Sequence, residues 1–204
     1  MSQYYIMAKN RDKDYTGDSK MFGEEQRYKL IAKNSTGKIL NLGGVACTLN
    51  DYLKKKFDDV HSVDILDGAD YKIDLNNSDW AIKDKFDTIV AGEVIEHISN
   101  PTQFLTNCYK LLNKKGKLIL TTPNATSLLH LKNPSWCVLH DRKEEALSHI
   151  HTFTSGMLKF LFERRGFKNI KISYLNTFTY NRWTYLLCSF VKRLRADILI
   201  IGEK

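Results

Sequence analysis

The amino-acid sequence predicts an α/β fold, a mostly parallel sheet covered by helices on both faces. Three observations predict it. Short apolar, β-branched runs recur at residues 38–42, 61–65, 86–91, 117–121, 170–174 and 197–201. Segments with apolar residues at helical spacing stand between them, and Gly or Asn-Pro punctuates the junctions.

The elements follow in chain order. Residues 1–24 are polar and weakly patterned and read as an N-terminal arm, leaving 25–204 as one domain. Met21, Phe22, Tyr28, Leu30 and Ile31 suggest a loose amphipathic helix over 21–33. The strand at 38–42 runs into Gly43-Gly44, and Leu49, Tyr52, Leu53 and Phe57 place a helix over 46–57. The strand at 61–65 carries Asp64 near its end. Asn100-Pro101 opens a helix with core positions Phe104, Leu105, Tyr109, Leu111 and Leu112, closed by Lys114-Lys115-Gly116. Thr154 is placed to N-cap a helix over 155–165, which Gly166 ends.

The chain has 204 residues, enough for one domain to bury its own core, and its 3 prolines argue against a long linker. Its four cysteines, Cys47, Cys108, Cys137 and Cys188, form no CxxC pair, so reduced thiols in the cytoplasm are expected. The N-terminus lacks the apolar core of a signal peptide, and no apolar run reaches the eighteen or so residues of a membrane span. A net charge of +8 permits an anionic partner without choosing one.

Four constellations carry chemistry. Gly43 and Gly44 after a strand let the backbone approach a ligand closely. Asp64, about twenty residues later at the next strand end, can accept hydrogen bonds from both ribose hydroxyls of a nucleoside; a turn-capping Asp is the alternative. Asp74 could accept an adenine amino group, and it reads equally well as a turn residue. In Glu93-x-x-Glu96-His97, residues three and four apart share a helical face, so two carboxylates and an imidazole can converge on a divalent cation such as Mg²⁺, Mn²⁺ or Zn²⁺. The alternative leaves Glu93 opening an acceptor cleft, Glu96 capping a helix and His97 packing or acting as general base.

With these in order, the chain resembles the class I S-adenosylmethionine (SAM)-dependent methyltransferases. It is most similar to the branch with ubiquinone-biosynthesis O-methyltransferases and glycan- and lipid-cluster enzymes. FDTIVAGEVIEHISNP (86–101), LNKKGKLILTTPN (112–124) and HTFTSGMLKFLFERRGF (151–167) carry the resemblance. It implies a Rossmann-like, doubly wound seven-stranded sheet with the last strand antiparallel. It also implies SAM held by Asn41, Gly43, Gly44, Asp64, Ile65, Asp74, Leu75, Gly92 and Glu93. Metal-dependent relatives add a later histidine, matched here by His151 with His149 in reserve. The implied metal set is therefore Glu93, Glu96, His97 and His151, and the implied catalytic residues are His97, Glu93 and His151.

One departure stands out. The family shows an acidic residue followed by Gly-x-Gly-x-Gly; here Asn41 replaces the acid, and Val45 and Cys47 occupy the second and third glycine positions. A β-branched side chain near the cofactor predicts an adjusted loop or weakened SAM binding.

The expected activity is methyl transfer from SAM to a hydroxyl of a small-molecule, glycan or lipid-linked acceptor. The alternatives are an RNA 2′-O-methyltransferase and a degenerate, non-catalytic binding subunit. Residues 183–195 (WTYLLCSFVKRLR) are apolar, aromatic and basic. They read as a peripheral contact with an anionic membrane or lipid-linked acceptor, or as a helix packed between the last two strands. Trp136 and His140, in the loop 124–150, are expected to line the acceptor pocket.

Overall fold

The computed structural model describes residues 24–45, 47–132, 149–176 and 182–204. Residues 1–23 of the arm, Trp136, Cys137 and His140 lie outside the described residues. The strands are β1 (Ile39–Leu42), β2 (Val60–Asp64), β3 (Tyr71–Lys72), β4 (Phe86–Gly92), β5 (Leu112–Pro123), β6 (Lys168–Leu175) and β7 (Asp197–Glu203). They form one seven-stranded sheet in the order β3-β2-β1-β4-β5-β7-β6. Every pairing from β3 to β5 is parallel, and β7 runs antiparallel to both β5 and β6. The expected sheet, with its last strand reversed, is the one observed.

The helices are α1 (Glu24–Asn34), α2 (Thr48–Lys54), α3 (Pro101–Leu111), α4 (Leu128–Lys132), α5 (Ser155–Arg164) and α6 (Arg182–Phe190). The capping signals act as read. Asn100 Oδ1 accepts from the Gln103 N–H at 3.0 Å, with Pro101 in the first turn of α3, and Thr154 Oγ1 accepts from the Met157 N–H at 3.2 Å. Gly166 ends α5 with φ +90.

Elsewhere the structure departs from expectation. Lys114-Lys115-Gly116 does not close α3; β5 begins at Leu112, because Phe86 and Thr88 of β4 pair on either side of a register shift that draws those residues into the sheet. β3 is only two residues long and shows no alternation that sequence could reveal. The 124–150 loop contains α4, whose five residues are too few for a periodic signal.

The sheet is apolar on both faces, as a doubly covered sheet must be. Leu40, Ile89, Leu118 and Leu120 face α3 and α5, packing with Phe104, Leu105, Leu158 and Phe162. Their neighbours Ile39, Val90, Ile119 and Leu199 face the other way, with Tyr28 and Ile31 of α1 and Leu49 and Leu53 of α2. At this period of two, one-residue slips would exchange the two cores, so register is strongly specified. Leu42 aligns with Val63 and Ala91, and Gly92 aligns with Thr121. The carboxyl ends of β1, β2, β4 and β5 therefore form one edge, where ligands bind in open α/β sheets. Among the described residues, no helix is long and apolar enough to cross a membrane.

Candidate active site

The turn after β1 is built around two close approaches. Gly43 adopts φ +70, a left-handed conformation natural to glycine, and a Cβ there would meet Val94 Cγ2 at 3.1 Å. At Gly44 a Cβ would come within 3.0 Å of both Asn41 Nδ2 and Ser62 Cβ. The Gly43 and Gly44 N–H groups both reach the Val63 carbonyl, at 2.8 and 3.2 Å.

Val45 closes the turn on the next strand: its N–H donates to Asp64 Oδ2 at 3.0 Å. The other oxygen, Oδ1, accepts from the Leu66 N–H at 3.1 Å. Asp64 is thereby buried and fixed in orientation, and each carboxylate oxygen keeps a further lone pair for a ribose hydroxyl. Ile65, next in sequence, is 51% exposed and presents an apolar surface beside it. Asp74 is half-buried and uses Oδ1 to hold the Asn76 N–H at 2.8 Å, the geometry of its turn reading; Oδ2 takes no part in the turn. Leu75 packs partly against the core. Asn41 is buried and donates to Asn50 Oδ1 of α2 at 3.3 Å, so its amide ties strand to helix.

Arg27, which the sequence did not single out, is a principal charge of this region. Its side chain is 10% exposed, and the guanidinium pairs with Glu93 Oε1 at 3.2 Å and Glu24 Oε1 at 3.4 Å. Burial alone would lower its pKa, but Glu93 and then Asp197 raise it further above its ordinary value. Arg27 Nε is buried without a hydrogen-bond partner. The available signal was an arginine placed between Glu25 and Tyr28 in a helix about to become buried.

The Gly92–Ile98 segment holds the second half of the site. Glu93 follows β4 with φ +56, a conformation a side chain rarely adopts, and strain of this kind concentrates at functional positions. Its N–H is held by the Thr121 carbonyl at 3.0 Å. Residues Ile95–His97 then form a single 3₁₀ turn rather than an α-helix. That turn buries Glu96 completely. Glu96 Oε2 accepts from Thr122 Oγ1 at 3.0 Å, while Oε1 has no hydrogen-bond partner. Desolvation first, and the Glu93 charge second, push the Glu96 carboxyl well above the usual carboxylate range.

The donors that come together are Glu96, His97 and His149, with ligand atoms within 4.8 Å of one another. The His97 and His149 rings meet edge-on, their centroids 4.8 Å apart. Oxygen and nitrogen donors suit Mn²⁺ or Zn²⁺ better than Mg²⁺. Two expected members fall outside the group. The left-handed backbone at Glu93 turns its carboxylate to Arg27. His151 has its N–H pinned to the Glu96 carbonyl at 3.1 Å and its ring against Phe153, with Nε2 buried and unpartnered. The reserve histidine, His149, stands where His151 was expected.

A methyltransferase-domain family model matches residues 18–172. The chain belongs to that family. Its sheet is that of a class I SAM-dependent methyltransferase. The ubiquinone biosynthesis O-methyltransferase of Parvibaculum lavamentivorans is 34% identical over 71 residues, covering 35% of this chain and 28% of that protein. The mitochondrial ubiquinone biosynthesis O-methyltransferase of Rattus norvegicus is 44% identical over 46 residues, covering 22% of this chain but 13% of its own length. The chain thus spans well under a third of these curated relatives. A SAM-dependent methyltransferase from Archaeoglobus fulgidus has the same fold over 100% of both chains, with a TM-score of 0.66 and 18% identity.

Proposed function

We propose that this methyltransferase-family chain transfers a methyl group from SAM to a hydroxyl of a small-molecule, glycan or lipid-linked acceptor. The observation that carries the reading is one sheet edge on which the Asp64-closed glycine turn stands beside the group of buried Glu96 with half-buried His97 and His149.

In this reading Asp64 takes the ribose hydroxyls, Ile65 and Leu75 bound the adenine, and Asp74 Oδ2 accepts its amino group. Gly43 and Gly44 admit the cofactor backbone-close. Asn41 acts from behind by fixing the turn. Arg27 and Glu93, already an ion pair, suit the carboxylate and ammonium of the methionine end; the unpartnered Nε of Arg27 is a donor awaiting an acceptor. Gly92 keeps the floor low between them. Glu96, His97 and His149 would hold a divalent cation, whose Lewis acidity lowers the pKa of a bound hydroxyl. His151 through its unpartnered Nε2, or His97 where no cation is held, takes the acceptor proton as general base. Alignment of oxygen, methyl carbon and sulfur is then mainly a matter of positioning. The free thiols of Cys47, Cys108 and Cys188 fit a reducing setting, and we place the activity in the cytoplasm.

A non-catalytic binding subunit is the second reading, favoured by Val45 and Cys47 at glycine positions. Calorimetric titration of the full chain with S-adenosylhomocysteine separates the two. Micromolar binding, followed by labelled methyl transfer from SAM to phenols, glycans or isoprenoid-linked hydroxyls, supports the enzyme. Absence of heat at millimolar ligand refutes it and leaves the binding subunit. An RNA 2′-O-methyltransferase would instead bind RNA with a steep salt dependence.

A further inference from the structure

The described part of the β6–β7 connection, Asn176 and residues 182–196, belongs to the same sheet edge as the site, since Leu175 and Pro123 both pair with Asp197. Within it, the described side chains of α6, Leu186–Phe190, turn their large apolar groups away from the protein. Cys188 is 3% exposed and faces the protein, its Sγ bonded to the Leu194 carbonyl at 3.4 Å. Leu186, Leu187 and Phe190 lie within about 100° of the helix circumference and are 47%, 45% and 79% exposed, and Val191 adds 43%. This apolar stripe is held outward. Arg195 donates from Nε to the Cys188 carbonyl and from Nη1 to the Tyr174 carbonyl, both at 3.0 Å. Asn124 Nδ2 ties down the Arg193 and Arg195 carbonyls at 2.8 Å each. Lys192 and Arg193 follow the stripe directly and are exposed. No acidic residue occurs from 182 to 196, in a chain of net charge +8.

We propose that α6 and the 3₁₀ turn Lys192–Leu194 form a docking surface for an anionic phospholipid bilayer, with Leu186, Leu187, Phe190 and Val191 entering the interface and Lys192 and Arg193 meeting the headgroups. An outward apolar stripe with an adjoining cationic end is the pattern of interfacial helices. A second copy of the chain fits less well, because a two-fold contact through this stripe would set Lys192 and Arg193 near their own counterparts. Docking this way turns the site's edge of the sheet toward the lipid. The inference goes beyond the proposed methyl transfer and does not depend on it.

The test is co-sedimentation of the full chain with vesicles of phosphatidylcholine alone and of phosphatidylcholine mixed with phosphatidylglycerol. Binding to the mixed vesicles, weakening as salt rises, is expected. Leu187→Ser with Phe190→Ser should weaken it at least about tenfold, and Lys192→Glu with Arg193→Glu should remove the preference for anionic lipid. Unchanged circular dichroism melting and S-adenosylhomocysteine binding would show both variants folded. Wild-type protein left in the supernatant with both vesicles, or variants that pellet like wild type, overturns the proposal. So does a dimer in sedimentation velocity that Phe190→Ser splits without any vesicle binding. Vesicle binding needs no cofactor, so its failure leaves the methyltransferase reading untouched.

Discussion

Thr122 Oγ1 donates a hydrogen bond to Glu96 Oε2 across 3.0 Å, joining the end of β5 to the 3₁₀ turn after β4. Both residues are fully buried, so this hydroxyl is the one side-chain donor holding the carboxyl in place among the described residues. Thr122→Val keeps the shape and removes the donor. Urea denaturation should show a loss of about 1–3 kcal/mol, the cost of leaving a buried polar group unsatisfied. An unchanged midpoint would mean that Glu96 finds another partner.

The two later histidines should behave differently. Mn²⁺ binding, followed by calorimetry, is expected to fall at least about tenfold in His149→Ala, as metal-site truncations do. His151→Ala should leave it nearly unchanged. The reverse order would restore the grouping expected from sequence. In the same preparations EDTA should abolish methyl transfer by the wild type.

Asp64 holds two backbone N–H groups while offering its remaining lone pairs outward. Asp64→Asn converts one oxygen to a donor and breaks one of these contacts. S-adenosylhomocysteine affinity should drop at least about tenfold, equivalent to ~1.4 kcal/mol. Equal affinity would remove Asp64 from the cofactor site.

Arg27→Met leaves the Glu93 carboxylate without its cation. Removing one partner of a buried pair costs about 3–5 kcal/mol, but the Glu93 side chain is 26% exposed, so water offsets part of that. A loss of ~1–3 kcal/mol by denaturant is expected, together with weaker S-adenosylhomocysteine binding. Stability loss with cofactor affinity intact would make Arg27 a purely structural tie between α1 and β4.

His130 gives the chain a pH dependence near neutrality. Its ring is buried, with Nδ1 2.8 Å from Ser127 Oγ, and burial lowers its pKa below the ordinary 6.5. The unfolded chain therefore binds the proton more readily than the folded one. The contribution is fully present above about pH 6.5 and is lost as pH falls through the lowered folded value. Melting temperature should decline on acidification across that window, and His130→Asn should flatten the decline. An unaltered slope would assign it to other histidines.

The grouping of side chains at the candidate site was only partly legible. Gly43, Gly44 and Asp64 could be read because their spacing reflects a strand-turn-helix unit whose geometry is local. Glu93-x-x-Glu96-His97 was legible as a cluster, but its outcome was not. A helical face would converge all three, whereas the φ +56 backbone at Glu93 and the single 3₁₀ turn send Glu93 to Arg27 and bury Glu96. Arg27 and His149 join through contacts across long sequence separations, which spacing does not encode.

The sequence by itself determined the order of strands and helices, the caps at Asn100 and Thr154, and the doubly apolar sheet, because periodicity and capping act within a few residues. Tertiary structure decided the two-residue β3, the early start of β5, the exchange of His149 for His151 and the closure of the Val45 turn on Asp64. It also decided that α6 faces outward: the pattern of 183–195 is amphipathic either way, and only Arg195 and Asn124, bonding backbone carbonyls from distant elements, select which side meets the protein.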